Sequence, residues 1–242
     1  MNVLAFDTCF SSCSVAIRAG RDGEAPRAEF EHCNMDTGHA EALIPMIQRV
    51  AARAGITVAQ IERIVVTNGP GTFTGIRTGV AVARCLALST GADIVAVSSL
   101  WAIAAAAIEA GVPECGSAGE GIDALIVAMD ARKGQIYAQV IDVTGRELTE
   151  PELLEADRVV ELEPVLRVAV LGSGASAIIA ASHTAGRTIS SAAAATFSAL
   201  PDARHLLAAA DRSSIVGPLL PRYLRPPDAK PQADKSLPWS TP

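Results

Sequence analysis

With 242 residues, half of them apolar, the chain can form one large or two small domains and bury a sizeable core, which excludes disorder outside its proline-rich end. A formal net charge of −6 excludes the basic patch of an autonomous nucleic-acid binder. The longest apolar run, 100–108, falls short of the roughly 20 residues of a membrane helix, and MNVLAFDTCF lacks the pattern of a secretion signal, so a soluble, cytoplasmic protein is expected.

In chain order, residues 3–7 read as a buried strand and 14–18 as a second. After the turn cluster 19–23, residues 28–32 return as a third strand. Across 39–54, Leu43, Ile47, Val50 and Ala54 recur at spacings of four, three and four, which predicts an amphipathic helix stopped by Gly55. Pro45 sits inside that pattern. An interior proline costs about 3 kcal/mol, so a kink or a later helix start is expected. Residues 64–67 form a short β-branched strand and 68–71 a tight turn. A helix over 72–88 follows, capped by Thr72 or Thr74, then a strand over 94–97 and a helix over 100–110.

The second half repeats the theme. Residues 125–130 and 136–142 read as hairpin strands, 168–171 as a strand ending in Gly172-Ser-Gly174, and 175–181 and 206–210 as helical stretches. This predicts a coarse duplication of a βββαβαβα unit, with units at 1–98 and 99–225 and a proline-rich tail over 226–242.

Five cysteines (Cys9, Cys13, Cys33, Cys85, Cys115) are an odd number without C-x-x-C spacing, so they read as free or core thiols. The four histidines show no ligand spacing.

Gly75 and Gly79 fall inside the 72–88 helix, where each glycine costs roughly 1 kcal/mol relative to alanine. Close approach of another backbone would explain them. That backbone belongs either to the same chain or to a partner. The Gly69-Pro-Gly71 turn could cradle phosphate at a helix start, but it lacks the lysine and spacing of a P-loop.

The segment GPGTFTGIRTGVAVARCLAL resembles the signature of the TsaB (YeaZ) family, and MNVLAFDTCFSSCSVAI, HAEALIPMIQ, MDARKGQIYAQV and PRYLRPPDAK extend the resemblance from residue 1 to about 230. The resemblance implies an α/β, actin-like ATPase (ASKHA) fold of two subdomains, the second degenerate. It also implies a non-catalytic scaffolding or activating subunit. With TsaD and TsaE, that subunit serves the formation of threonylcarbamoyladenosine at position 37 of tRNAs reading codons that begin with A. The partner helices would be 39–54 and 72–88, pairing through His39, Leu43, Met46, Ile47, Val50, Thr72, Phe73, Gly75, Ile76, Gly79, Val80 and Ala83. Alone, the same faces would form a homodimer. Gly79→Leu is then expected to break pairing and leave the monomer folded. ATP and metal belong to the partner subunits, and tRNA is met only indirectly.

TsaD-like relatives carry an H-x-x-x-H metal pair after the corresponding strand, where this chain has Ser99 and Ile103. No catalytic residue and no metal ligand is therefore expected. Asp7, Gly172 and Gly174 are weak candidates for nucleotide contact, with structural roles as the alternative. Asp130, Arg132 and Tyr137 read either as a cleft that meets a partner or ligand, or as hairpin geometry with an exposed ion pair. The competing functions are a nucleotide-binding ATPase or metallopeptidase-like enzyme of the same superfamily, and a partnerless nucleotide carrier.

Overall fold

A computed structural model describes residues 1–20, 26–111, 121–162, 167–184, 190–191, 200–215 and 217–226. Among the described residues, ten strands form two five-stranded sheets. The first contains β1 (Val3–Asp7), β2 (Ser12–Ala19), β3 (Arg27–Asn34), β4 (Arg63–Thr67) and β5 (Asp93–Val97), in the order β3-β2-β1-β4-β5. The second contains β6 (Ala124–Asp130), β7 (Gln135–Asp142), β8 (Glu152–Glu155), β9 (Val168–Leu171) and β10 (Ser190–Ser191), in the order β10-β9-β6-β7-β8. In each sheet the first three strands are antiparallel and the last two run parallel to the first. One topology is therefore built twice.

β1 is fully buried along its length, as a near-continuous apolar run at the centre of a sheet requires. The helix α1 (His39–Ala54) covers β2 and β3, and α2 (Phe73–Thr90) covers β4. Gly55 ends α1 in the left-handed conformation at φ 73°, and the Ile56 amide reaches back to Ala51 O at 3.1 Å. Thr72 caps α2 by accepting from the Gly75 amide at 3.2 Å. The expected later start at Pro45 does not occur: α1 begins at His39 and runs through the proline. Burial of Leu43, Met46, Ile47 and Val50 on the sheet outweighs the missing amide.

The helix α3 (Ser99–Glu109) is buried on nearly every face, and its residues share one apolar cluster with β1, β2, β6 and β7. Two short helices, α4 (Ala156–Val160) and α5 (Ala175–Thr184), flank the second sheet. Around 206–210 the structure has a four-residue α6 (Ala203–Leu206) followed by a 3-10 turn. This segment packs on β1 and β2, and Ile215 donates to Ile94 O at 2.9 Å. Residues 203–215, assigned from the sequence to the second unit, thus pack against the first sheet. The expected tail beyond residue 226 and residues 112–120, early in the expected second unit, lie outside the described residues.

Candidate functional site

The glycines of α2 answer to the chain's own first turn. A Cβ on Gly71 would land on Cys9 O, and one on Gly75 would land on Thr8 O. A Cβ on Gly79 would sit 2.8 Å from Thr8 Oγ1. Thr8 Oγ1 donates to Gly75 O at 2.7 Å, and the Thr72 amide donates to Cys9 O at 2.7 Å. The β1–β2 turn therefore lies in the notch that the sequence offered equally to a partner.

The same holds for the apolar stripe. Leu43, Met46, Ile47, Val50, Ile76, Val80 and Ala83 are buried in the chain's own core, and so are Gly75 and Gly79. His39 is buried too, with Nε2 2.9 Å from Phe10 O. Of the twelve residues proposed for partner pairing, only Thr72 and Phe73 are exposed. The physical reason is simple: an amphipathic period finds the face that leaves water and cannot say which neighbour covers it. Gly79→Leu should therefore unfold the monomer, contrary to the sequence-based expectation. The solvent faces of α1 and α2, which lie side by side, carry Ile44, Pro45, Gln48, Ala81, Cys85 and Leu88, the last 90 % exposed.

Asp7 is sealed rather than poised. Its carboxylate accepts from Thr67 Oγ1 at 2.5 Å and from the Cys9 amide at 3.2 Å, with no exposed surface. Burial pushes its carboxyl up to about 6 against the opposing pull of those hydrogen bonds. Gly172 and Gly174 are likewise structural. A Cβ on Gly172 would land on Ala128 O, and the Gly174 amide donates to that carbonyl at 3.0 Å. The three weak nucleotide candidates all serve packing.

Between the sheets lies a cleft of about 840 Å³. It brings Asp130, Arg132 and Tyr137 together on one wall, with Ser173 beside them and Phe10 and Phe73 opposite. The Asp130–Arg132 relation is not the expected ion pair. Asp130 Oδ1 accepts from the Arg132 backbone amide at 2.7 Å, an Asx turn, while Ser173 Oγ accepts from the Asp130 amide at 2.9 Å. Arg132 and Lys133 are both left-handed, at φ 65° and 56°. That backbone costs about 1–2 kcal/mol per non-glycine residue.

The rim contains residues to which the sequence reading gave no role. Tyr223 stacks on Phe73 with centroids 4.9 Å apart. Arg77 lies 3.7 Å over the Phe73 ring and donates from Nε to Tyr223 Oη at 2.8 Å. Arg225 donates from Nη2 to Arg132 O at 3.1 Å and to Gln135 Oε1 at 2.8 Å. Upstream, the Arg222 amide donates to Asn68 O at 2.7 Å, and Asn68 Nδ2 to Leu220 O at 3.1 Å. Residues 220–225 thus form a strap tied to both sheets. The Tyr-Leu-Arg run was visible in the sequence, but its partners lie about 150 and 90 residues away.

Chemically, the cleft offers an aromatic rim, guanidinium groups and a turn carboxylate. Among the described residues no group of three or more His, Cys, Asp or Glu side chains could hold a metal. At the two positions where the family resemblance directed attention, Ser99 is buried with Oγ donating to Pro70 O at 2.5 Å, and Ile103 is core. No described helix is long and apolar enough to cross a membrane.

Two sheets of one repeated topology, facing each other across a cleft, define an α/β protein of the actin-like ATPase (ASKHA) fold. The family model described as "TsaD: tRNA N6-adenosine threonylcarbamoyltransferase" matches residues 34–211. The Escherichia coli K12 protein named tRNA threonylcarbamoyladenosine biosynthesis protein TsaB is 33% identical over 137 residues, 57% of this chain and 53% of that protein. An uncharacterised protein of Mycobacterium tuberculosis H37Rv is 31% identical over 196 residues, 81% of this chain and 79% of that protein. A crystal structure from Pseudomonas aeruginosa, described as similar to peptidase YEAZ, is 25% identical with a TM-score of 0.70, over 93% of this chain and 99% of that one. The match to the E. coli TsaB spans about half of that protein's length. The chain belongs to the TsaB/YeaZ family.

Proposed function

We propose that this chain is a non-catalytic subunit in the formation of threonylcarbamoyladenosine on tRNA, acting by pairing with a TsaD-like protein. The observation that carries the reading is at the start of α3. Ser99 and Ile103 stand where TsaD-like relatives carry metal histidines; one hydroxyl is committed to Pro70 O and the other side chain has no ligand atom. In this reading ATP and metal belong to the TsaD-like and TsaE-like partners. The acidic balance of −6 suits a protein that meets tRNA only through them.

The pairing surface is the outer face of α1 and α2. Ile44, Pro45, Ala81, Cys85 and Leu88 line it, a small and apolar patch that another pair of helices can cover. Without TsaD, two copies pair through the same face as a homodimer. The division of labour between the sheets follows: residues 1–98 supply the pairing helices, and the β6–β7 hairpin with Ser173 supplies the second cleft wall.

Reconstitution tests this function. Threonylcarbamoyladenosine formed by TsaD-like and TsaE-like proteins should require this chain. Full synthesis without it, or turnover by this chain alone, would overturn the proposal.

A further inference from the structure

Cys13 and Cys33 face each other directly across the β2–β3 ladder. The Met35 amide donates to Ser11 O at 3.1 Å, so the 11/35 pair, and with it 13/33, is in the hydrogen-bonded phase of the antiparallel ladder. Such pairs have Cα atoms about 5.5 Å apart, inside the roughly 4.4–6.8 Å window of a disulfide. Directly opposed residues also share one face of a sheet. Here it is the α1 face, since Glu31, two residues from Cys33, is bonded to Arg49 and Arg53 of α1. The two thiols differ in access: Cys13 is buried and Cys33 is exposed on an edge strand. Cys9 is buried with Sγ 3.3 Å from Thr67 Oγ1, and Cys85 lies on α2.

We propose that Cys13 and Cys33 are a reversible disulfide site, oxidised by a low-molecular-weight disulfide that enters at Cys33. In the first step the Cys33 thiolate attacks one sulfur of the oxidant. The oxidant's S–S bond breaks, and one thiolate leaves to take up the proton that Cys33 gave. In the second step the Cys13 sulfur attacks the Cys33 sulfur of the mixed disulfide, its proton passing to the second departing thiolate. Two protein thiols are oxidised and one small disulfide is reduced to two thiols. Burial, reinforced by Asp7, Cys33 and Glu31, pushes the Cys13 thiol up to about 12, which makes Cys33 the entry point. The bond would staple the edge strand at the root of the segment that carries Asp36 into the cleft wall and then starts α1.

The test uses the full chain, folded and treated with oxidised glutathione, then alkylated and digested without reductant. The expected result is a peptide pair joined through Cys13 and Cys33, at monomer mass, lost on reduction. Cys33→Ser, an exposed change that leaves the core intact, should eliminate that pair and show four free thiols against the three of the oxidised parent. A stable mixed disulfide at Cys33 with Cys13 still free, or Cys33 joined to Cys85 of a second copy, would overturn the proposal.

Discussion

The β1–β2 turn and the β6–β7 turn hold the same place in the two sheets, and they have opposite fates. Thr8, Cys9 and Phe10 of the first are buried, wedged into the notch of α2. Arg132, Lys133 and Gly134 of the second are exposed, two of them in a conformation that L-residues avoid. One turn has become packing, and the other stays strained at a cleft. Duplicated topology therefore does not imply duplicated chemistry: the glycines of the first unit close on Thr8 and Cys9, while Phe10 and Ser11 of the same turn reach the cleft.

The sharpest way to break this contrast is to fill the notch. Gly75→Ala gains about 1 kcal/mol of helix propensity, yet its methyl lands on backbone that cannot move aside. Overpacking of this kind prevails, and a net loss of about 3 kcal/mol is expected in urea unfolding. A variant as stable as the parent would mean the turn is not held there.

The buried acid of the first turn gives a pH signature of similar upper size. Asp7 titrates near 6 folded and about 3.9 unfolded, so the folded state binds the proton more tightly. Its stabilising effect is full below pH ~4 and is lost as pH rises through 6, at about 1.4 kcal/mol per pH unit, up to about 3 kcal/mol. Thermal melts from pH 4 to 8 should show this fall, and Asp7→Asn should flatten it.

At the pairing face the effect moves to association. Leu88→Asp, at a side chain 90 % exposed, should change monomer stability by no more than about 0.5 kcal/mol. It should weaken pairing with a TsaD-like partner about tenfold or more, read by titration calorimetry. Unchanged affinity would remove α2's outer face from the interface. The smallest effect belongs to the second turn. The Arg132–Gln135 hydrogen bond encloses Lys133-Gly134 as a two-residue turn with both φ angles positive, a setting that favours Asn-Gly. Lys133→Asn should raise stability by about 0.5–1 kcal/mol in urea unfolding.

Much of this was legible in the sequence. The stop of α1 at Gly55, a cap at Thr72 or Thr74 and the run of β1 follow from period, cap and glycine chemistry, whereas Pro45 pointed to a later start of α1 than the one found. The neighbour of the α1 and α2 stripes did not, because amphipathicity is blind to who covers the face. Neither did most of the region after β7. β8 is half-exposed, α4 has five residues and β10 has two, too short to show a period. At the site, Asp130, Arg132 and Tyr137 were found because they are neighbours in one hairpin. Tyr223 and Arg225 were given no role because their partners come from distant elements.

The strap has a consequence for synthesis. Chains emerge from the ribosome N-terminus first, at roughly 5–20 residues per second. Yet Asn68 receives its partners from Leu220 and Arg222, and β1 and β2 receive their cover from α6. The first sheet is made early and closed late, so it waits with an uncovered face until more than a hundred later residues have been added. Co-translational folding of this protein is a race between that exposed sheet and the arrival of its own clasp.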